Sequence, residues 1–260
     1  MALFAQLIFS LLTGVALFLF GKKLLAIRRN ILIGKEVTLN DQPSKRWKNV
    51  LLLAFGQKKM FRNPLVAILH LFVYVGFIII NIELLEIIVD GITGSHRAFA
   101  PYLGSFYDFI INCFEILAAL VLVACIIFFS RRNIIKLKRF ISKDLNGWPR
   151  TDANAILITE IILMSLFLIM NAADPASNFI ISSNVKPLLN GFSEAQLTVI
   201  EHSAWWIHII GIFAFMNYLP YSKHLHIILA FPNAYYASLE PKGKMYNMVA
   251  VQNRSEERRV

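Results

Sequence analysis

Five long apolar stretches decide most of what this chain can fold into. They cover residues 2–20, 64–89, 106–129, 155–170 and 198–219, and each approaches or exceeds the ~20 residues a helix needs to cross a hydrocarbon layer. The fourth is the shortest. Mean hydropathy is +0.59 and 57% of residues are hydrophobic, against ~45–50% in an ordinary soluble domain. One core cannot bury that much hydrocarbon, so the chain requires lipid. The fold expected is all-α, an integral membrane bundle of five transmembrane helices over residues 1–232, with a tail over 233–260. The first segment has no basic residue before it and no A-x-A pattern after it, so it reads as a permanent helix rather than a cleaved signal.

Charge fixes the expected orientation. Eleven Lys and Arg lie between Lys22 and Arg62, seven between Arg131 and Arg150, and six after the fifth segment, while the alternate loops hold only Arg97 and Lys186. Twenty-four of 26 positive charges therefore share one face, the asymmetry of cytoplasmic loops. The amino terminus is expected outside, the carboxyl terminus in the cytoplasm, and the location a multi-pass protein of a bacterial or archaeal cell (inner) membrane. The same loops favour anionic headgroups. A net charge of +10 is thus accounted for without nucleic acid, which is not expected as a partner.

Several chemistries lack sequence support. Cys113 and Cys125 stand twelve apart in the third segment, without the C-x-x-C spacing that holds zinc or a cluster, and read as small apolar residues. P-loop and G-x-G-x-x-G runs are missing. Pro64 opens the second segment, Gly91 and Gly94 are expected to close it, and Pro101 with Gly104 shape the following loop. Pro220 is expected to bend or end the fifth helix.

The histidines carry the functional reading. His208 and His226 stand 18 positions apart, about five turns or ~27 Å of continuous helix, which would turn both imidazoles the same way. His70 lies early in the second segment at a depth comparable with His226, and a ring nitrogen in that setting needs a partner. Gly211, beside His208, would let a flat macrocycle approach the backbone. Histidines that face each other inside a membrane bundle point to b-type haem. The plainer reading of each is a hydrogen-bonded structural histidine. His224 is expected on the solvated surface, His202 at the outer start of the fifth helix and His96 in the outer loop. Glu83, Glu86, Glu115 and Glu160 are candidates for a proton path, because an intramembrane carboxyl is costly; pairing with Asn, Ser or Tyr is the alternative.

The H-x17-H interval running through Pro220, Tyr221, Ser222 and Lys223, together with His70 in the second of five helices, resembles the cytochrome b (gamma) subunit family of respiratory nitrate reductase, which has P-F-S-R followed closely by histidine. The closer resemblance is to the branch related to the membrane subunit of heterodisulfide reductase, where G-Q-x-K or G-Q-x-R precedes the second helix, as Gly56, Gln57, Lys58 and Lys59 do here. That resemblance implies an inner haem held by His70 and His226. It implies an outer haem held by His208 and a residue ten positions after His70, which here is Ile80 and cannot bind iron. A single haem, pairing of His70 with His208, or a ligand from His202 or His96 all remain open.

Two neutral imidazoles leave iron without an open coordination position, which favours electron transfer over oxygen chemistry. The function expected is a membrane electron-transfer subunit or domain of an oxidoreductase, passing electrons between a cytoplasmic iron-sulfur or flavin partner and membrane quinone. A haem-free scaffold or small transporter with structural histidines is the alternative. Relatives in the resembling branch continue into a region with C-x2-C-x2-C-x3-C motifs, and RSEERRV over 254–260 differs from what precedes it. The native chain is therefore expected to continue, with iron-sulfur clusters only in that downstream region.

Overall fold

A computed structural model describes residues 3–34, 41–175, 177–240 and 243; the RSEERRV string at 254–260 lies outside them. The described residues are helical with no strand. Five helices are long and apolar enough to cross a membrane: α1 (Leu3–Ile31), α2 (Pro64–Thr93), α3 (Ser105–Asn133), α4 (Trp148–Ala173) and α5 (Glu194–Tyr218). Each extends past its apolar stretch, because helical backbone continues into polar flanks until a terminator is met. The fourth span, shortest in the sequence reading, runs 26 residues.

The chain divides into two compact units, 1–36 with 60–226, and 37–59 with 227–260. In the first, α1 packs on α2, α2 on α3, α3 on α4, α4 on α5 and α5 back on α1, a closed ring of neighbours. Antiparallel connections put Arg28, Arg29, Arg62, Arg131, Arg132, Arg150 and Lys223 toward one end, called here the basic end.

Punctuation explains the boundaries. Pro64 and Pro149 occupy first-turn positions, where a missing N–H costs nothing. Ser193 and Gln196 form a reciprocal capping box at the start of α5, satisfying two otherwise orphaned groups. Gly94 ends α2 at φ 77°, a conformation other residues reach only with strain. Gly91, expected to terminate the helix, instead lies inside it: a Cβ there would stand 2.3 Å from the Phe9 ring. Its role is close approach of α1. Phe9 is fully buried, 5.3 Å from the Trp205 ring and 6.2 Å from that of Phe213.

Pro220 does more than bend α5. A 3-10 turn spans Leu219–Tyr221, Ser222 is extended, a second spans Lys223–Leu225, and a new helix α6 begins at His226 and ends at Tyr235. Five continuous turns between His208 and His226 are therefore not present, and helical phase does not relate the two rings.

The second unit contains a helix at Pro43–Asn49 continued by a π-helical turn at Val50–Phe55. Arg46, 3% exposed, donates to the carbonyls of Tyr235 (3.0 Å) and Ala237 (3.2 Å) and pairs with Asp41 at 2.7 Å. The guanidinium holds the exposed Asp41 carboxyl below its usual range.

Candidate functional site

Three histidines collect at the basic end of the five-helix unit. His70, half-buried in the second turn of α2, interacts electrostatically with His226. His224 interacts with both, and its ring centroid is 5.7 Å from those of His226 and Phe215. The break after α5 makes this cluster. Asp152 of α4, 2% exposed, accepts from the Lys223 backbone N–H at 3.1 Å and from the Tyr218 hydroxyl. Lys223 in turn donates through Nζ to the Pro149 carbonyl at 2.7 Å. Ser222 donates to the Leu219 carbonyl at 3.2 Å and accepts the His224 N–H at 3.0 Å. The Pro-Tyr-Ser-Lys corner, from which His224 and His226 follow, is thereby fastened to α4.

His226 donates from Nδ1 to the Lys223 carbonyl at 2.8 Å. With Nδ1 bound there, Nε2 is the ring nitrogen in position to hold a metal, as in protein sites whose other imidazole nitrogen bonds a carbonyl. His226 is exposed; His224, expected at the solvated surface, is instead half-buried, and its Nδ1 is buried without a hydrogen bond. Burial first, then the neighbouring His226, pushes the His224 imidazole down to about 4. Sequence reasoning missed His224 because helical spacing was applied across a segment that is not one helix. The signal available was Ser222, whose hydroxyl starts the short turn carrying His224.

His208 lies elsewhere, 3% exposed at mid-depth. Its Nδ1 donates to the Leu163 carbonyl of α4 at 3.0 Å, which again leaves Nε2 for the cavity it lines. That cavity, about 80 Å³, is bounded by α2 from Val73 to Ile87, Val121 of α3, Glu160 to Phe167 of α4, and His208, Ile212 and Phe215 of α5. Ile80 lines it and no second histidine does. Gly211 does not open a face for a macrocycle: the Leu163 side chain occupies that approach, 2.8 Å from where a Cβ would stand. His202 is exposed and lines a different cavity at the far end, with His96, Asp90 and Glu201.

The four candidate carboxyls separate into two pairs. Glu86 accepts from the Phe99 N–H and the Tyr107 hydroxyl, both at 2.9 Å. Glu115 accepts from Asn171 at 3.1 Å and from the N–H groups of Ile181 and Ser182 at 2.9 and 3.0 Å. These two anchor the loops opposite the basic end, beside Asp174, which pairs with Arg97 at 2.7 Å and lies 3.6 Å from His96. Glu83 and Glu160 line the His208 cavity instead.

No family model matches the sequence, and no solved structure matches it. The chain is similar to the probable iron-sulfur-binding oxidoreductase FadF of Bacillus subtilis, 27% identical over 240 residues, and to the EtfAB:quinone oxidoreductase of Syntrophomonas wolfei, 25% identical over 259 residues. Each match covers 92% of this chain and 34% of the relative, so the chain spans about a third of the length of these curated relatives. The five-helix chain is thus distantly related to oxidoreductases, one of them quinone-linked by name.

Proposed function

We propose that this chain is the membrane electron-transfer part of an oxidoreductase, with His70 and His226 as the residues that would hold the iron of one b-type haem at the basic end. The observation that carries this reading is that the corner after Pro220, held to α4 through Asp152, brings His226 within electrostatic range of His70 of α2, with the His226 Nδ1 bound to the Lys223 carbonyl. The donor set suits haem: imidazoles from two separate elements are the ligand type that would hold its iron. When bound, haem supplies one-electron transfer. The protein orients His226 through the Lys223 carbonyl, on a corner that Asp152 and Ser222 hold in place.

His208 sits outside this site. Its cavity presents Ile80 where a facing imidazole would be needed and is small for a macrocycle, which supports one haem rather than two. The basic end faces the cytoplasm by the charge asymmetry, with the amino terminus outside, and docks an iron-sulfur or flavoprotein partner, or the remaining part of a longer chain carrying iron-sulfur clusters. Quinone in the bilayer is the exchangeable partner, in keeping with the name of one relative.

The test is a reduced-minus-oxidised spectrum of membranes containing the protein. A b-type α-band is expected, lost in His70→Ala and in His226→Ala and kept in His202→Ala. No band in the wild type overturns the proposal.

A further inference from the structure

The cavity between α2, α4 and α5 contains titratable groups that electron carriage at the histidine cluster leaves unused. Glu83 is 6% exposed and its Oε2 is buried with no hydrogen-bond partner; Glu160 and His208 are 9% and 3% exposed. All three line the same space. Along α2 the lining runs from Val73 to Ile87, ~21 Å at 1.5 Å per residue, while the volume is only about 80 Å³. The space is therefore a narrow, partly open slot, called the shaft below, with room for on the order of three water molecules, and a benzene-sized ring takes ~150 Å³. No three His, Cys, Asp or Glu among the described residues are arranged to hold a metal ion.

The shaft ends beside the histidine cluster. Val73 is one helical turn from His70, and Phe215 contacts the His224 ring at 5.7 Å. We infer that the shaft is a proton-binding site, in which Glu83 and Glu160 exchange a proton with a short file of water leading toward His70 and His224. The chemistry is one O–H bond made from a solvent proton at a carboxylate oxygen, and the same bond broken on release. No electron moves within the shaft. The charged groups acting on Glu83 are Glu86 of its own helix, Glu115 of α3 and Arg97 of the adjoining loop. Cys125 of α3 lies within electrostatic range of Glu160, and α5 contributes His208 to the lining. Glu86 and Glu115 are committed to loop amides, which leaves Glu83 and Glu160 to take the proton. An electron arriving at the histidine cluster adds negative charge across a low-dielectric interior and favours uptake; this coupling rests on the proposed electron-carrying role, whereas proton binding itself does not.

The test is infrared difference spectroscopy of the full chain in membranes between acidic and alkaline pH. A carboxyl carbonyl band is expected that shifts in D2O, weakens in Glu83→Gln and in Glu160→Gln, and is unchanged in Glu115→Gln. The D2O shift on the wild type alone reads the exchange without any variant. A band identical in both cavity variants, or one that does not exchange with D2O, overturns the inference. Where a haem band is present, its midpoint potential is expected to fall by up to about 59 mV per pH unit, a tenfold change per unit for one electron, and to flatten in Glu83→Gln. A protein without haem loses that second readout and leaves the infrared result intact, so the two proposals fail separately.

Discussion

Replacing Glu115 should unfasten the loop that closes the bundle opposite its basic end. Glu115 is fully buried and accepts three hydrogen bonds, from the Asn171 side chain and from the backbone of Ile181 and Ser182. Glu115→Leu leaves three donors without their acceptor, and a buried unsatisfied donor costs roughly 1–3 kcal/mol. Ile181 N–H is only part-buried and recovers a water partner, so two donors remain and the expected loss is about 2–6 kcal/mol. Glu115→Gln keeps one acceptor oxygen but turns an NH2 toward donors, for a loss of about 1–3 kcal/mol. Cys125 is 1% exposed and reports unfolding through its reaction with a thiol dye on heating in detergent, in a Cys113→Ala background. The midpoint should fall in the order wild type, Glu115→Gln, Glu115→Leu. Because Asn171 donates to the same carboxylate, Asn171→Ala should cost little once Glu115→Leu is present. A Glu115→Leu protein as heat-stable as wild type would refute the reasoning.

Gly91→Val should displace α1, since even a Cβ meets Phe9 at 2.3 Å; an overpacking loss of about 1–3 kcal/mol is expected in the same thermal assay, partly recovered by Phe9→Ala. Asp174 raises the His96 imidazole above its ordinary value, so the protonated form favours the folded state. The sign follows: this contribution is complete below pH ~6.5 and disappears as pH rises through the raised value. Stability measured across that window should decline more in wild type than in His96→Asn. Asp152→Ala leaves the Lys223 N–H without its acceptor, and the corner carrying His224 and His226 should loosen, with a stability loss of about 1–3 kcal/mol and a broadened haem spectrum.

The spans were legible in sequence because lipid imposes an uninterrupted apolar run of known length, and every such run became a helix. Their ends were less legible: Gly91 looks like a terminator, but its missing Cβ serves Phe9, a contact 82 positions away in the chain that no local pattern announces. The interval from His208 to His226 assumed one helix, whereas Pro220 removes a backbone donor and Asp152 of α4 offers a competing acceptor to the Lys223 N–H. Local propensity and tertiary capture together break the phase. For the carboxyls, sequence named four alike, and only their partners separate the loop anchors Glu86 and Glu115 from the cavity pair Glu83 and Glu160. His224 was passed over because its burial depends on Phe215 and on the turn set by Ser222.

The most direct measurement of the central claim is the haem content of the purified chain, by alkaline pyridine extraction, in the wild type, in His70→Ala and in His226→Ala. The account predicts a single haem per chain in the wild type and none in either variant, with His208→Ala retaining it. Haem absent from the wild type, or retained in full by His70→Ala or His226→Ala, would contradict it.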